Sequence, residues 1–268
     1  MLIVKNLMKR FRLDGKTVKE NRKKNRNALD PREDGIWFNA VRDVSFSCGA
    51  GQVLGLIGPN GAGKTTSLRM LSTALQATSG QIMINGEDVI AEPLAMRKRI
   101  GFLSGTTSLY HRLTVRENVE YFGRLHGMNE ADLQVEINNI FNMLDIHSFA
   151  DKKADSLSTG MKQRANIART VIHRPEVIVL DEPTTGLDVI AAKSILDFIE
   201  SYKGGDVPLI FSTHHLHEVE KLCDKVVLID QGVTRFDGDV NDFRQISGNS
   251  SLYDSFLKLV SDKEVKNV

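Results

Sequence analysis

The segment GPNGAGKTT, residues 58–66, combines glycines, a lysine and two hydroxyl side chains at a spacing suited to binding phosphate. The N–H groups of such a turn point at an anion, and Lys64 adds a positive charge. The apolar run GQVLGLI precedes the segment and SLRML follows it, which is the strand, turn and helix order that a phosphate loop requires. We expect the Thr65 hydroxyl to bind Mg²⁺ and the backbone N–H groups of the loop to hold the β- and γ-phosphates of a nucleotide. The phosphate-binding residues are Gly58, Pro59, Asn60, Gly61, Ala62, Gly63, Lys64, Thr65 and Thr66.

Two adjacent acids, Asp181 and Glu182, follow the apolar run EVIVL, where a buried strand would end. Open α/β sheets bind ligands at the carboxyl ends of their strands. We expect Asp181 to hold Mg²⁺, directly or through water, and Glu182 to polarise the water that attacks the phosphate. A single carboxylate base of this kind contributes about 10²- to 10⁴-fold in rate.

Three histidines, His214, His215 and His217, close another apolar run in the sequence FSTHHLHEVE. Consecutive strand side chains point to opposite faces and no cysteine pattern accompanies them, which disfavours a metal site. We expect His214 to sense the terminal phosphate, and the other two to be structural or exposed.

A second segment, LSTGMKQR at residues 157–164, also has the features of an anion site. Ser158 can cap a helix, Gly160 permits close backbone approach, and the following run KQRANIARTVIHR contains no acid. A helix N-terminus of this kind favours an anion, so Ser158, Thr159 and Gly160 are candidate phosphate contacts.

Short apolar runs separated by helical stretches predict an α/β fold with a mainly parallel sheet buried on both faces. These runs are GQVLGLI, EVIVLDEP, PLIFST and KVVLID. The N-terminal runs LIVKNLMKRF and VRDVSFS are too close together for helical crossovers, so we expect an antiparallel β edge. Residues 107–156 carry only helix signals: a capping box at Thr114 and Glu117, and an apolar stripe in ADLQVEINNIFNMLDI. The stripe consists of Leu133, Ile137, Ile140, Phe141 and Leu144.

The composition narrows the class of protein further. The 35 basic and 34 acidic side chains nearly cancel, so nucleic-acid binding is not expected. The two cysteines, Cys48 and Cys223, do not have the spacing of metal ligands, and we expect a reduced, cytoplasmic setting. No apolar run approaches the ~20 residues that span a bilayer. The polar, basic stretch at 16–35 is interpreted as an exposed insertion, solvated or touching anionic lipid. The segment VSDKEVKNV is expected to be a loose tail.

The order and spacing of GPNGAGKTT, LSTGMKQR, VLDEPTTGLD and STHHLHEVEKLCD resemble the nucleotide-binding subunits of ABC transporters. The resemblance implies the phosphate-loop NTPase fold of ABC ATPases, with a mainly parallel core, an antiparallel β edge and an inserted all-helical subdomain. It places an ABC ATPase domain at 1–240, with the helical subdomain at about 107–160, and a C-terminal helix and tail at 241–268.

The same resemblance accounts for two anion sites in one chain. In this family two subunits pair head to tail. The helix that begins in the signature segment, here LSTGMKQR, covers in each subunit the ATP held in the other's phosphate loop. It also implies that Asp188 ends a loop that meets the partner subunit. Phe11 would stack on adenine, with Phe38 as a less favoured substitute.

Two positions depart from the family pattern. Gly105 stands where the family usually has glutamine, which removes a side-chain link between Mg²⁺ and the helical subdomain. The signature reads Ser-Thr-Gly-Met in place of Ser-Gly-Gly-Gln. The segments FLSG, LYHRLTVREN and LSTGMKQR together resemble the drug and sodium-extrusion branch of exporters.

The resemblance implies an ATP-hydrolysing motor subunit of an exporter, active as a homodimer with Mg²⁺. It would drive a separate transmembrane permease subunit from the cytoplasmic face of the cell membrane. An alternative is a soluble ABC ATPase acting on nucleic acid or ribosomes, but such proteins usually carry two cassettes or a long coiled-coil insertion. A regulatory protein that binds ATP without turnover is disfavoured by Asp181, Glu182 and His214.

Overall fold

The computed structural model describes residues 1–21, 30–105, 108–248 and 251–261. The chain divides into two compact units. Unit 1 comprises Met1–Cys48, Leu56–Pro93 and Lys225–Val268, and unit 2 comprises Gly49–Gly55 and Leu94–Asp224.

Unit 1 is built on a mostly antiparallel sheet. Its strands are β1 (Leu2–Arg12), β2 (Glu33–Asp34), β3 (Trp37–Cys48), β5 (Ser79–Ile84), β6 (Glu87–Asp88), β10 (Lys225–Asp230) and β11 (Val233–Asp239), together with the end of β4 (Val53–Ile57). The order is β6-β5-β1-β3-β11-β10, with β2 paired to β3. Strands β1 and β3 pair antiparallel from Leu2 opposite Cys48 to Arg12 opposite Trp37. The antiparallel β edge predicted from the N-terminal sequence is confirmed.

The described part of unit 1 contains one helix directly after the phosphate loop, one after β1 and two in the C-terminal region. They are α1 (Gly15–Asn21), α2 (Lys64–Leu71), α9 (Val240–Gln245) and α10 (Leu252–Ser261). The predicted tail segment therefore starts inside α10, where the Ser261 hydroxyl donates to the carbonyl oxygen of Leu257 at 2.6 Å. The rest of that segment, residues 262–268, lies outside the described residues.

Unit 2 contains two of the four runs predicted for the parallel core, EVIVLDEP and PLIFST. A third run, KVVLID, is β10 of unit 1, and it pairs antiparallel with β11. Strands β7 (Ile100–Leu103), β8 (Val177–Asp181) and β9 (Leu209–Ser212) lie in the order β7-β8-β9, and both pairings are parallel. Every residue of β8 and β9 is buried, as expected for a sheet covered on both faces. In register, Asp181 lies opposite Ser212, so the carboxyl ends of the two strands are adjacent.

The helices of unit 2 are α3 (Pro93–Arg97, beginning in unit 1), α4 (Val115–Leu125), α5 (Glu130–Met143), α6 (Thr159–Val171), α7 (Val189–Glu200) and α8 (Leu216–Leu222). The capping box predicted at Thr114 and Glu117 is present at the start of α4. All five residues of the predicted apolar stripe on and after α5 are buried. Between residues 108 and 160 the described chain has helices, 3-10 turns and one isolated β-bridge, from Thr114 to Lys153. The exact subdomain boundaries stay a prediction.

The basic insertion at 16–35 is only partly described. Residues 16–21 lie in α1, residues 22–29 are outside the described residues, and the return arm from Asp30 onward reaches β2. Part of this arm is packed and not simply solvated, since Arg32 is half-buried.

No helix in the part of the chain that the structure describes combines the length and apolar character needed to cross a membrane.

Candidate active site

The phosphate loop lies in unit 1 between the end of β4 at Ile57 and the start of α2 at Lys64. Gly58, Gly61 and Gly63 have φ angles of 149°, 75° and 111°. A Cβ at Gly58 would collide with the carbonyl oxygen of Ile229, and one at Gly63 would lie 2.8 Å from the carbonyl oxygen of Ala40. The loop therefore needs glycine both for its positive φ angles and for its close backbone packing.

Lys64 is folded over this loop. Its Nζ donates to the carbonyl oxygens of Gly58 at 2.7 Å and Pro59 at 3.2 Å, and the side chain is buried. The first turn of α2 has no acid and no side-chain cap among the described residues. The unit thus presents a buried ammonium beside uncapped helix N–H groups, an arrangement that attracts an anion.

Phe11 and Phe38 are direct partners in the β1–β3 ladder and so lie on the same face of the sheet. The guanidinium of Arg32 covers the Phe38 ring at 4.8 Å from its centroid. Arg32 also pairs with Asp30 at 2.6 Å and donates to the carbonyl oxygen of Gly61 at 2.5 Å. Phe11 is 41% exposed, although Lys9 lies 5.2 Å from its ring centroid. The arrangement favours Phe11 over Phe38 as the aromatic for adenine, and that role stays a prediction.

In unit 2, Ser212 holds the two predicted acids. Its Oγ donates to Oδ1 of Asp181 at 2.7 Å and accepts from the backbone N–H of Glu182 at 2.9 Å. Both Asp181 and Ser212 are buried. Sequence reasoning missed Ser212, whose only signal is that the last residues of two parallel strands fall in register.

Glu182 and His214 lie side by side. His214 Nδ1 is 4.0 Å from Oε1 of Glu182, and their side chains are 45% and 34% exposed. The Thr185 hydroxyl donates to the other Glu182 carboxylate oxygen at 3.1 Å. The backbone of Glu182 is left-handed with φ of 50°, which costs a non-glycine residue about 1–3 kcal/mol and is typical of functional positions. The structure brings the predicted base and the predicted phosphate sensor together where solvent can reach them.

The other two histidines of this run, His215 and His217, lie next to His214. The His215 ring is 4.0 Å from that of His214, and the His217 ring is 5.4 Å from that of His215. Within the described ranges, no cluster of three or more histidine, cysteine, aspartate or glutamate side chains could hold a metal ion.

The signature segment forms the start of α6, against the start of α7. Ser158 is the N-cap residue of α6, and its Oγ accepts from the backbone N–H of Met161 at 3.3 Å. Asp188 caps α7 in the same way, accepting from Ala191 at 2.8 Å. A Cβ at Gly160 would lie 2.5 Å from Cβ of Ala191, so the predicted close approach at Gly160 is a contact with α7. Ser158 and Thr159 are exposed beside this contact, and neither helix has an acid in its first turn.

Gly105 follows β7 after the buried Ser104. A Cβ built at Gly105 would meet nothing within 4 Å, so a longer side chain has room there. Residues 106 and 107 lie outside the described part of the chain.

Comparisons with known proteins agree with these features. A family model described as ABC transporter matches residues 41–185. The ABC transporter ATP-binding protein NatA of Bacillus subtilis is 38% identical over 223 residues, covering 82% of this chain and 91% of the relative. The daunorubicin resistance ATP-binding protein DrrA3 of Streptomyces coeruleorubidus is 36% identical over 213 residues, covering 80% of this chain and 67% of the relative. A solved ATP-binding subunit of an ABC transporter superposes with a TM-score of 0.79 at 25% identity, covering 97% of this chain and 99% of that one.

The fold and site define an ATP-binding subunit with an ABC-type phosphate loop. The chain belongs to the ABC transporter family, and it is an ATPase subunit of that family. The resemblance drawn from the four motifs and the predicted ABC ATPase fold are both confirmed.

Proposed function

We propose that this chain is the ATP-hydrolysing motor of an exporter, working as a head-to-tail homodimer that drives a separate transmembrane subunit. The observation that carries the proposal is the arrangement at the ends of β8 and β9. There Ser212 fixes Asp181 and Glu182, and His214 lies 4.0 Å from the Glu182 carboxylate.

In this proposal each side chain has one task. Lys64 and the loop N–H groups hold the phosphates, Glu182 accepts a proton from the attacking water, and His214 donates to the terminal phosphate. Asp181 and Thr65 are a carboxylate and a hydroxyl, the oxygen donors that Mg²⁺ prefers, so they fit as its ligands. Bound there, Mg²⁺ would neutralise charge on the phosphate oxygens. Phosphoryl transfer gains most of its rate from such positioning and charge stabilisation.

The surface around Asp188 supports the homodimer. Val189 and Ile190, directly after it, are 86% and 83% exposed. It is unusual for two adjacent aliphatic side chains at the start of a helix to be so fully exposed to solvent. A second copy would cover them and bring Ser158, Thr159 and Gly160 of one chain to the ATP of the other, with Asp188 in the contact.

A surface on the helical part of unit 2 supports the proposal of a separate membrane subunit. An open, largely apolar pocket there is lined by Tyr110, His111, Arg112, Leu113 and Tyr121. Both tyrosine rings are exposed and meet edge to face with centroids 5.3 Å apart. A transmembrane permease subunit docking at this face would place the chain at the cytoplasmic face of the membrane.

For cargo we propose sodium ions or an amphiphilic drug, in line with the exporter branch that the chain resembles and with the drug-resistance relative. The test is co-purification with a candidate membrane subunit, reconstitution in vesicles, and measurement of ATP-dependent sodium and daunorubicin flux. The Glu182→Gln variant is the matched control. Flux that needs ATP and is lost in the variant supports the proposal. ATPase activity stimulated by RNA or ribosomes, with no membrane partner retained, would contradict it.

A further inference from the structure

Glu218 is a buried carboxylate that the predicted reaction does not use. It lies in the first turn of α8 and is 2% exposed. The Thr184 hydroxyl donates to its Oε1 at 2.7 Å, and the Thr213 hydroxyl donates to its Oε2 at 2.6 Å. Both threonines are themselves buried. Each carboxylate oxygen is thus held by one hydroxyl from a different segment of the chain.

Packing alone does not account for this carboxylate. Among the described residues no lysine, arginine or histidine forms an ion pair with Glu218. Burying a carboxylate without a paired cation costs free energy, which an apolar side chain of similar size would avoid. The cost is offset in part by the two hydroxyl donors and by the favourable field at the start of a helix. The network is therefore best explained by the geometry that it fixes.

The two hydroxyls belong to the segments that carry the predicted catalytic groups. Thr184 is two residues after Glu182 in the loop that ends at Asp188. Thr213 directly precedes His214, and its Oγ1 also accepts from the backbone N–H of His215 at 3.0 Å. A single carboxylate therefore connects the loop after β8 to the residues after β9.

We propose that Glu218 is a positioning residue that fixes His214 relative to Glu182 by binding Thr184 and Thr213. This inference rests on the proposed roles of Glu182 and His214. Ser212 fixes the backbone at the strand ends, and Glu218 fixes the two chain segments immediately beyond them. With either hydroxyl bond lost, the 4.0 Å approach of His214 to Glu182 is no longer enforced from both sides. Because the phosphate loop and its lysine are untouched, the defect belongs to turnover and leaves ATP binding intact.

The test compares four variants by steady-state ATPase kinetics and by equilibrium binding of a fluorescent ATP analogue. Glu218→Ala removes both contacts, and we expect kcat to fall about tenfold or more while KM and analogue affinity stay within about threefold. Glu218→Gln keeps the shape and one acceptor oxygen, and its amide N–H group can donate to the other threonine hydroxyl oxygen, so it should recover most of the lost kcat. Thr184→Val removes one hydroxyl from a side chain of the same shape, and a several-fold loss of kcat is expected. Glu200→Ala, which changes an exposed glutamate at the end of α7, is the matched control and should match the wild type.

A double variant sharpens the result. Thr184→Val added to Glu218→Ala should lower kcat no further, because the hydroxyl has already lost its acceptor. If Glu218→Ala is insoluble, Thr184→Val and Thr213→Val carry the test alone. The positioning role is overturned if these losses appear in KM and analogue affinity, or if kcat is unchanged in all of these variants. It is also overturned if Glu218→Gln is as slow as Glu218→Ala. Those outcomes leave the proposed function standing, whereas unchanged turnover in Glu182→Gln and His214→Ala would overturn the proposed function itself.

Discussion

Replacing Gly160 with alanine tests how closely the starts of α6 and α7 must approach. The new Cβ would lie 2.5 Å from Cβ of Ala191. Carbon atoms in favourable contact are about 3.5–4.0 Å apart, so the two helices must separate locally by about 1 Å or more. The opposing atom is a Cβ fixed to backbone, which cannot rotate away.

The size of the effect follows from two opposing contributions. Overpacking of this kind costs about 1–3 kcal/mol. Alanine in place of glycine returns at most about 1 kcal/mol of helix propensity, and less in a first turn. We therefore expect Gly160→Ala to lower the free energy of unfolding by about 1–2 kcal/mol.

The assay is urea unfolding of four proteins: wild type, Gly160→Ala, Ala191→Gly and the double variant. Ala191→Gly alone should cost about 0.5–1 kcal/mol, because a buried methyl group is lost and glycine is somewhat less favourable than alanine even in a first turn. The double variant should be more stable than the sum of the single changes by about 1 kcal/mol, since the clashing atom is gone. Additive losses, or a Gly160→Ala protein as stable as the wild type, would refute the contact argument.

The other predictions concern turnover, coupling and pH. Glu182→Gln should lower ATP turnover at least about 10²-fold and accumulate an ATP-bound dimer in gel filtration, and activity within a few-fold of wild type would show that Glu182 is not the base. Gly105→Gln should fold normally, since a Cβ at this position meets nothing within 4 Å. It should change the stimulation of ATPase activity by the membrane partner more than it changes the basal ATPase rate. The opposite pattern in vesicle ATPase assays would contradict the interpretation of Gly105 as a hinge into the helical subdomain. Burial lowers the pKa of His173 to about 4 from its ordinary value of 6.5, so the unfolded chain binds a proton first and stability falls as pH drops from about 6.5 to about 4. His173→Gln should reduce that fall in urea midpoint, and an undiminished fall would assign it to other groups.

Elements with a local signal could be predicted from the sequence. The capping box at Thr114 and Glu117 predicted the start of α4, because it needs only residues within one turn. The buried runs of β8 and β9 were recognisable as strands because a short continuous apolar run is also a local signal. The phosphate loop needed only its nine residues and their flanks.

The parts of the site that the sequence did not reveal depend on contacts between distant residues. Ser212 reaches Asp181 and Glu182 across about thirty residues of chain, and only the register of two strands brings them together. Glu218 and Thr184 are similarly separated. The covering of Phe38 by Arg32 depends on how the insertion folds back, which its polar composition does not encode.

The central claim is that each ATP is shared between two chains, and mixing two inactive variants tests it most directly. Lys64→Ala removes the cation of the phosphate loop, and Ser158→Arg places bulk and charge where the partner's terminal phosphate would lie. Each variant alone should be inactive. In a mixed dimer, the unchanged phosphate loop of the Ser158→Arg chain faces the unchanged signature segment of the Lys64→Ala chain, and these two parts form one intact site. Mixing equal amounts should restore about a quarter of wild-type ATPase activity if chains pair at random and sites act independently. A mixture as inactive as its components, or full activity in a preparation that stays monomeric, would contradict the shared site.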